Sequence, residues 1–403
     1  MADRVRPRLL VLSSRVPYPV VGGDRLRVHR LVALLSERFD VHLLALHEGP
    51  PDADTGRALR AIASKVTLIS RTPWEHRWRA LRSGILRNKP LQVGYYDFPD
   101  LHAVTAAAAR EADAVFCFHV RMAEYARHLR LPRFVDLVDA ISMNYERALR
   151  NQLSPVWRFI YQYEVGRLRR YECETIGTFD RSFIISDVDR QYLVNAGAPA
   201  DRLTVLPNGT DYGSGPMPTP VREDIDFCFV GNMETQSNSA AAAYFAREVV
   251  AFLVREGREI NYYIVGVRPR PEIRALHDGR RIFVTGEVPQ PAEYIRRSRV
   301  VVAPMLFGAG IQNKILEAMA LGKVVLTTTV GASGLEVSPG VHLAVADSPE
   351  EMRMRAAELL DNAAVREMIG RQAQMRIEHR YRWPRIGEIL HREIEQVLDA
   401  RSK

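Results

Sequence analysis

The sequence predicts an α/β protein built from two doubly wound, Rossmann-like domains that face each other across a cleft. Short apolar runs recur along the chain, helix-like stretches fall between them, and the alternation pauses once in a segment rich in Gly, Pro, Thr and Ser. Strands that are apolar throughout, rather than at every second residue, belong to parallel sheets covered on both faces. A length of 403 residues agrees, because it exceeds what one core of ordinary size organises.

In the first series the apolar runs are 9–13, 41–46, 66–69, 114–118, 134–138, 183–186 and 203–206, with helical stretches such as 26–37 and 101–111 between them. The pause spans 208–224, where no hydrophobic period survives. A second series follows at 227–230, 262–265, 282–284, 300–303, 324–328 and 343–345, with helices expected at 240–256 and 349–362. The domains are therefore placed at 1–210 and 225–380, joined by a linker at 211–224, with 381–403 forming a terminal amphipathic helix. Ligands of such sheets bind at the carboxyl ends of the strands, so the cleft is the expected site.

Composition narrows the function. Hydrophobic residues at 47% and charged residues at 26% suit a globular chain. The longest apolar run, 300–311, is broken by Pro304, Gly308 and Gly310, so no bilayer span is expected. The first residues lack the apolar core and cleavage site of a signal peptide. Cys117, Cys173 and Cys228 have no metal-like spacing, which points to reduced, structural cysteines and a cytoplasmic location. The net charge of +8 suits nucleic acid, an anionic membrane or a phosphorylated substrate. Zinc-ligand spacing, heptads and a basic tail are all missing, so nucleic acid is not expected as a partner.

The most informative segment runs from 300 to 328. A strand ends at Pro304, a loop carries Gly308 and Gly310, and a helix is expected over 311–321. Free N–H groups at a helix start, around Gly310, Ile311 and Gln312, lie at the positive end of the helix dipole and suit a phosphate. Lys314 adds a cation. Glu317, three residues on and on the same face, suits the hydroxyl pair of a ribose. An isolated Lys-x-x-Glu is ordinarily a solvated pair; its place at a helix start, after a glycine loop at a strand's carboxyl end, favours a nucleotide.

The stretch Gly310 to Val325, Gly-Ile-Gln-Asn-Lys-Ile-Leu-Glu-Ala-Met-Ala-Leu-Gly-Lys-Val-Val, resembles the donor-site helix of retaining family 4 glycosyltransferases, which have the GT-B fold. The resemblance covers nearly the whole chain: the glycine loop 13–27, the segment 206–211, Phe229-Val-Gly-Asn232 and the C-terminal segment 381–390 with Trp383. Segments 16–27, 88–96, 161–186 and 310–320 are most similar to the subgroup encoded with bacterial exopolysaccharide and PEP-CTERM sorting systems. The resemblance implies a metal-independent, retaining transferase that moves a sugar from a nucleotide diphosphate to a glycan or lipid-linked acceptor. It has no cofactor beyond the nucleotide-sugar co-substrate. It implies donor contacts from Gly22, Gly23, Arg25, Asn232, Gly310, Ile311, Gln312, Lys314 and Glu317, base contacts around 285–288, and a histidine near the sugar at His119. Lys314 would stabilise the leaving diphosphate and His119 would serve as acid or base. Family members often carry Glu-x7-Glu; here Ala309 stands in the first position, which alters the sugar half of the motif. Two alternatives stay open: a nucleotide-sugar epimerase of the same fold, which acts on the donor alone, and a non-catalytic nucleotide-sugar-binding protein, which the departure at Ala309 keeps alive. Asp24 reads as a helix cap, Asp139 as a helix cap or an acceptor-facing residue, His119 alternatively as a polar residue capping a strand end, and Asn232 and Asn238 as cleft or turn residues.

Two basic aromatic segments, 74–89 and 157–171, have the Arg and Trp content of interfacial helices on anionic lipid. A peripheral position on the inner membrane face is the expectation they carry. The alternative is that the aromatic rings pack inward and the arginines are solvated.

Overall fold

A computed structural model describes residues 6–20, 22–49, 53–72, 74–76, 89–149, 154–213, 222–307 and 310–402. The chain divides into two compact units, Met1–Pro207 with Ile386–Lys403, and Asn208–Arg385. The sequence sets the corresponding boundaries at 210 and 381.

The first unit holds a seven-stranded sheet in the order β3-β2-β1-β4-β5-β6-β7. Its strands are β1 (Arg8–Ser13), β2 (Asp40–Glu48), β3 (Lys65–Arg71), β4 (Ala114–Phe118), β5 (Arg133–Asp136), β6 (Arg181–Ile184) and β7 (Leu203–Val205), paired in parallel throughout. Every residue of β4 is buried, as a central strand covered on both faces requires. Phe116, Phe118, Phe134 and Phe183 pack as one aromatic column across β4, β5 and β6, with ring centroids 5.0–6.5 Å apart. The helix Trp383–Ser402 ends the chain, and its residues from Ile386 onward pack in this unit. His391 shares a 2.7 Å hydrogen bond with the Leu34 carbonyl, and Glu393 forms an ion pair with Arg181 at 3.1 Å and accepts from Thr204.

The second unit holds a six-stranded parallel sheet in the order β10-β9-β8-β11-β12-β13. Its strands are β8 (Ile225–Val230), β9 (Tyr262–Val265), β10 (Ile282–Gly286), β11 (Ser298–Ala303), β12 (Val325–Thr327) and β13 (Ala344–Val345). In each sheet the order reverses once, between β1 and β4 and between β8 and β11. Such a switch point opens a crevice at the strands' carboxyl ends.

The elements expected from sequence are present, with three informative differences. The run 134–138 stops being strand at Asp136, because Val138 turns into the left-handed region at φ 70°. The helix expected from 240 starts at Gln236 and passes through a π-helical turn, Ala246–Val250, before ending at Arg255. The helix expected from 311 starts at Asn313. Among the described residues no helix is long and apolar enough to cross a membrane.

Candidate functional site

In the second unit the site begins where β11 ends. Residues 308 and 309 lie outside the described residues, so the departure at Ala309 has no structural counterpart here. Gly310 turns the chain at φ 71°, a conformation that favours glycine. Ile311 is then buried and Gln312 becomes the residue preceding the helix Asn313–Ala320. The Gln312 carbonyl accepts from the N–H groups of Ile315 and Leu316. Those of Asn313 and Lys314 find no acceptor among the described residues, as expected at a helix start.

Lys314 lies half-buried at this start. Its ammonium donates to Asn238 Oδ1 at 2.8 Å and Gln312 Oε1 at 3.2 Å, lies 3.8 Å from Met305 Sδ, and sits 5.5 Å from the centre of the Phe229 ring. Each of these partners is neutral. Burial pushes its pKa down to about 8, against the pull of Glu317, and burial pushes Glu317 up to about 7. The two form no ion pair, so each is desolvated without direct compensation. The supporting shell is tight. A Cβ on Gly231 would stand 2.8 Å from Asn238 Nδ2 and 3.4 Å from Lys314 Cε, and one on Gly266 would stand 1.7 Å from the Gly231 carbonyl oxygen. Asn313 is held by Asn208 at 2.9 Å.

Asn232 serves the turn that follows β8. Its side-chain oxygen closes a turn onto the Glu234 N–H, and its carbonyl accepts from Asn238 Nδ2. Contact with Lys314 falls to Asn238 instead. At the end of β10 the Thr285 hydroxyl donates to the Gly286 carbonyl at 2.9 Å, within the segment expected to meet a base.

In the first unit Gly22 precedes the helix Gly23–Arg38, so Gly23 is already helical and Asp24 lies inside the first turn. Asp24 therefore does not cap the helix; it pairs with Arg15 at 3.7 Å in solvent. Arg25 is half-buried and makes no hydrogen bond to a described residue. Arg27 is fully buried. It grips Asp136 at the end of β5 through two bonds of 2.7 and 2.9 Å, and also donates to the Leu206 carbonyl.

His119 follows β4 with φ 67° and is 4% exposed. Its Nδ1 lies 3.3 Å from Ser14 Oγ, and its Nε2 is buried without a partner. Burial first, then the charges of Arg121, Arg15 and Arg27, hold its pKa well below the ordinary value, so the ring is neutral at physiological pH. Arg121 lies beside it, donating from Nε to Ser14 Oγ at 3.0 Å with its guanidinium 4.8 Å from the centre of the Tyr96 ring. Asp139 does not cap the next helix, Ile141–Ala148, whose preceding residue is Ala140. It accepts from Asn144 at 2.5 Å, and burial, with Asp189 and Asp24 nearby, pushes its pKa up to about 7. Sequence reasoning missed Ser14, Tyr96, Arg27 and Arg121. The signal for Arg121 was available, since it is a lone cation inside the apolar stretch 114–126.

Of the basic aromatic segments, 77–88 lies outside the described residues, and Trp74 is 73% exposed. In the helix Pro155–Thr178 the rings divide: Trp157, Phe159 and Tyr163 are 54, 70 and 47% exposed, whereas Tyr171 is buried. Along the surface Phe159 stacks on Tyr163, Trp157 meets Tyr161 with its plane tilted by 53°, and Arg167 covers Tyr163.

Comparisons with known proteins bear on the second unit and on the fold. Residues 224–362 match the family model described as glycosyl transferases group 1. HepE from Anabaena, solved in complex with UDP, superimposes with a TM-score of 0.68 at 15% identity, covering 96% of this chain and all of that one. A sucrose-phosphate synthase from Thermosynechococcus elongatus gives a TM-score of 0.68 at 14% identity, covering 98% of this chain and all of that one. An uncharacterized 44.6 kDa protein in the cps region of Klebsiella pneumoniae is 23% identical over 361 residues, which is 84% of this chain and 87% of the relative. The fold is GT-B. The chain is a glycosyltransferase whose second unit carries the group 1 domain.

Proposed function

We propose that this glycosyltransferase is a retaining, metal-independent enzyme of bacterial polysaccharide synthesis. It takes a sugar from a nucleotide diphosphate and passes it to a glycan or lipid-linked acceptor. The observation that carries the donor half is Lys314: a desolvated ammonium with only neutral partners, beside two unpaired N–H groups at a helix start. A diphosphate supplies the charge that this arrangement lacks, and the same donors stabilise it as the leaving group. Glu317, one turn further on, is offered to the ribose. Gly310, Ile311 and Gln312 supply backbone at the phosphate end, and Gly22, Gly23 and Arg25 are assigned to the diphosphate from the first unit. His119, being neutral, serves as a hydrogen-bonding partner near the transferred sugar. Two comparisons support the reading: HepE was solved with UDP-glucose, and the Klebsiella relative lies in a cps region.

The test is a panel of nucleotide sugars, read by donor turnover and UDP affinity. Lys314→Ala is expected to weaken UDP roughly 10- to 150-fold, the worth of one charge-assisted bond, while a chelator leaves turnover unchanged. Near-native affinity in the variant would remove the assignment.

The exposed aromatic face of Pro155–Thr178 favours a lipid-linked acceptor reached at an anionic membrane surface. Trp157, Phe159 and Tyr163 offer apolar rings, and Arg158 and Arg167 offer charge. Co-sedimentation with anionic vesicles at low salt is expected, and Trp157→Ser with Phe159→Ser is expected to reduce it severalfold. Equal sedimentation with neutral vesicles would count against an anionic surface.

A further inference from the structure

We infer that Arg121 forms, with His119, a recognition site for an oxyanion on the sugar acceptor, a carboxylate or a phosphate; this rests on the transferase reading above. Arg121 is 9% exposed and lies just past the carboxyl end of β4, at the switch point of the first sheet. Its Nε is spent on Ser14 Oγ at 3.0 Å, and the Tyr96 ring lies under its plane at 4.8 Å. Its two terminal amino groups make no hydrogen bond to any described residue, and they are not among the sealed polar atoms. Among the described residues no carboxylate lies within ion-pair distance.

The contrast with other buried arginines is direct. Arg27 is bound on two sides by Asp136, and Arg382 on two sides by Glu378. Leaving a buried charge without its partner is strongly unfavourable, so a fold that does so at a ligand-binding edge keeps the place for an anion brought by the ligand. Asp24 and Asp139 are the acids nearest in effect on Arg121, and neither reaches it.

A second observation points the same way. His119 Nε2 is buried with no partner, and the residue holds φ 67°. Sparse backbone conformations of this kind persist where the surroundings impose them, often at binding sites. Ser14 Oγ touches both His119 Nδ1 and Arg121 Nε, so the ring and the guanidinium are fixed by one hydroxyl. A planar fork with both arms free matches the two oxygens of a carboxylate or phosphate. The donor diphosphate already has its cation in Lys314 of the second unit, which leaves Arg121 for the acceptor.

Full-length protein is titrated with glucuronate, glucose 6-phosphate and neutral glucose, and with UDP in parallel. The wild type is expected to bind one charged sugar about tenfold or more above glucose, and whichever of the two is preferred names the source of the oxyanion. Arg121→Met is expected to abolish that preference while UDP affinity stays within about twofold. Arg121→Lys, which keeps the charge and loses the fork, retains part of it and serves if the methionine variant fails to fold. No preference for charged sugars in the wild type, or full preference in Arg121→Met, would overturn the site. An equal loss of UDP in that variant would move Arg121 to the donor and overturn the acceptor assignment. Failure of the wild type to bind UDP would sink the donor reading alone.

Discussion

Lys314 and Glu317 are a turn apart on one helix, and burial moves their pKa values toward each other, to about 8 and about 7. The lysine's folded value lies below its ordinary one, so the free protein holds fewer protons than the unfolded chain above pH 8 and gains stability there as pH rises. Binding reverses that preference, because a diphosphate favours the charged ammonium. UDP affinity is therefore expected to be greatest between about pH 7 and 8. Above that window it should fall, approaching tenfold per pH unit as the ammonium is lost. Below it the fall is shallower, as Glu317 is protonated and stops accepting from the ribose. Lys314→Ala should flatten the alkaline limb and Glu317→Gln the acidic one, measured by titration calorimetry across pH. The identities of both residues were legible because charge at a helix start after a glycine loop is a local pattern. Their depth was not, since it depends on Phe229, Met305 and Asn238 arriving from elsewhere in the unit. Asn232 shows the converse. A loop asparagine beside a glycine reads equally well as ligand contact or turn, and only its bond to Glu234 N–H decides.

At the scale of elements, the carboxyl ends of β4 and β5 are held open by unusual backbone and one buried ion pair. His119 and Val138, immediately beyond these strands, both have positive φ. A β-branched residue rarely takes that conformation, so the surrounding contacts must impose it. Asp136 explains part of this. It receives both arms of Arg27 from the helix Gly23–Arg38 and accepts from the Val138 N–H at 3.2 Å, so strand ends and helix are tied through one carboxylate. Arg27→Ala is expected to cost about 3–5 kcal/mol by stranding Asp136. Replacing both partners with apolar residues should recover much of that, as chemical denaturation would show. Strand positions were legible from apolar runs, since a central parallel strand must be apolar on both faces. The ends of β5 and of the helix Asn313–Ala320 were not, because tertiary hydrogen bonds and a left-handed turn set them.

For the whole molecule, two separate cores follow from two sheets, one around β1, β4 and β5, the other around β8 and β11. A ligand that binds one folded unit raises the stability of that unit by mass action, about 2.7 kcal/mol at a hundred times its dissociation constant. Scanning calorimetry with UDP should therefore raise the transition of Asn208–Arg385 by more than that of the other unit. A shift confined to Asn208–Arg385 would count against the diphosphate contacts assigned to Gly22, Gly23 and Arg25 of the first unit. The sequence by itself determined the doubly wound class, the two-unit plan and the Lys314 helix, because hydrophobic period, glycine placement and helix-start chemistry are local. Tertiary structure alone decided which charges are left without partners. Arg27 and Arg121 are both arginines in the first unit, yet one meets Asp136 and the other, among the described residues, meets a hydroxyl and a ring. No local rule separates them, because the pairing of a buried charge depends on which distant strand end is folded against it.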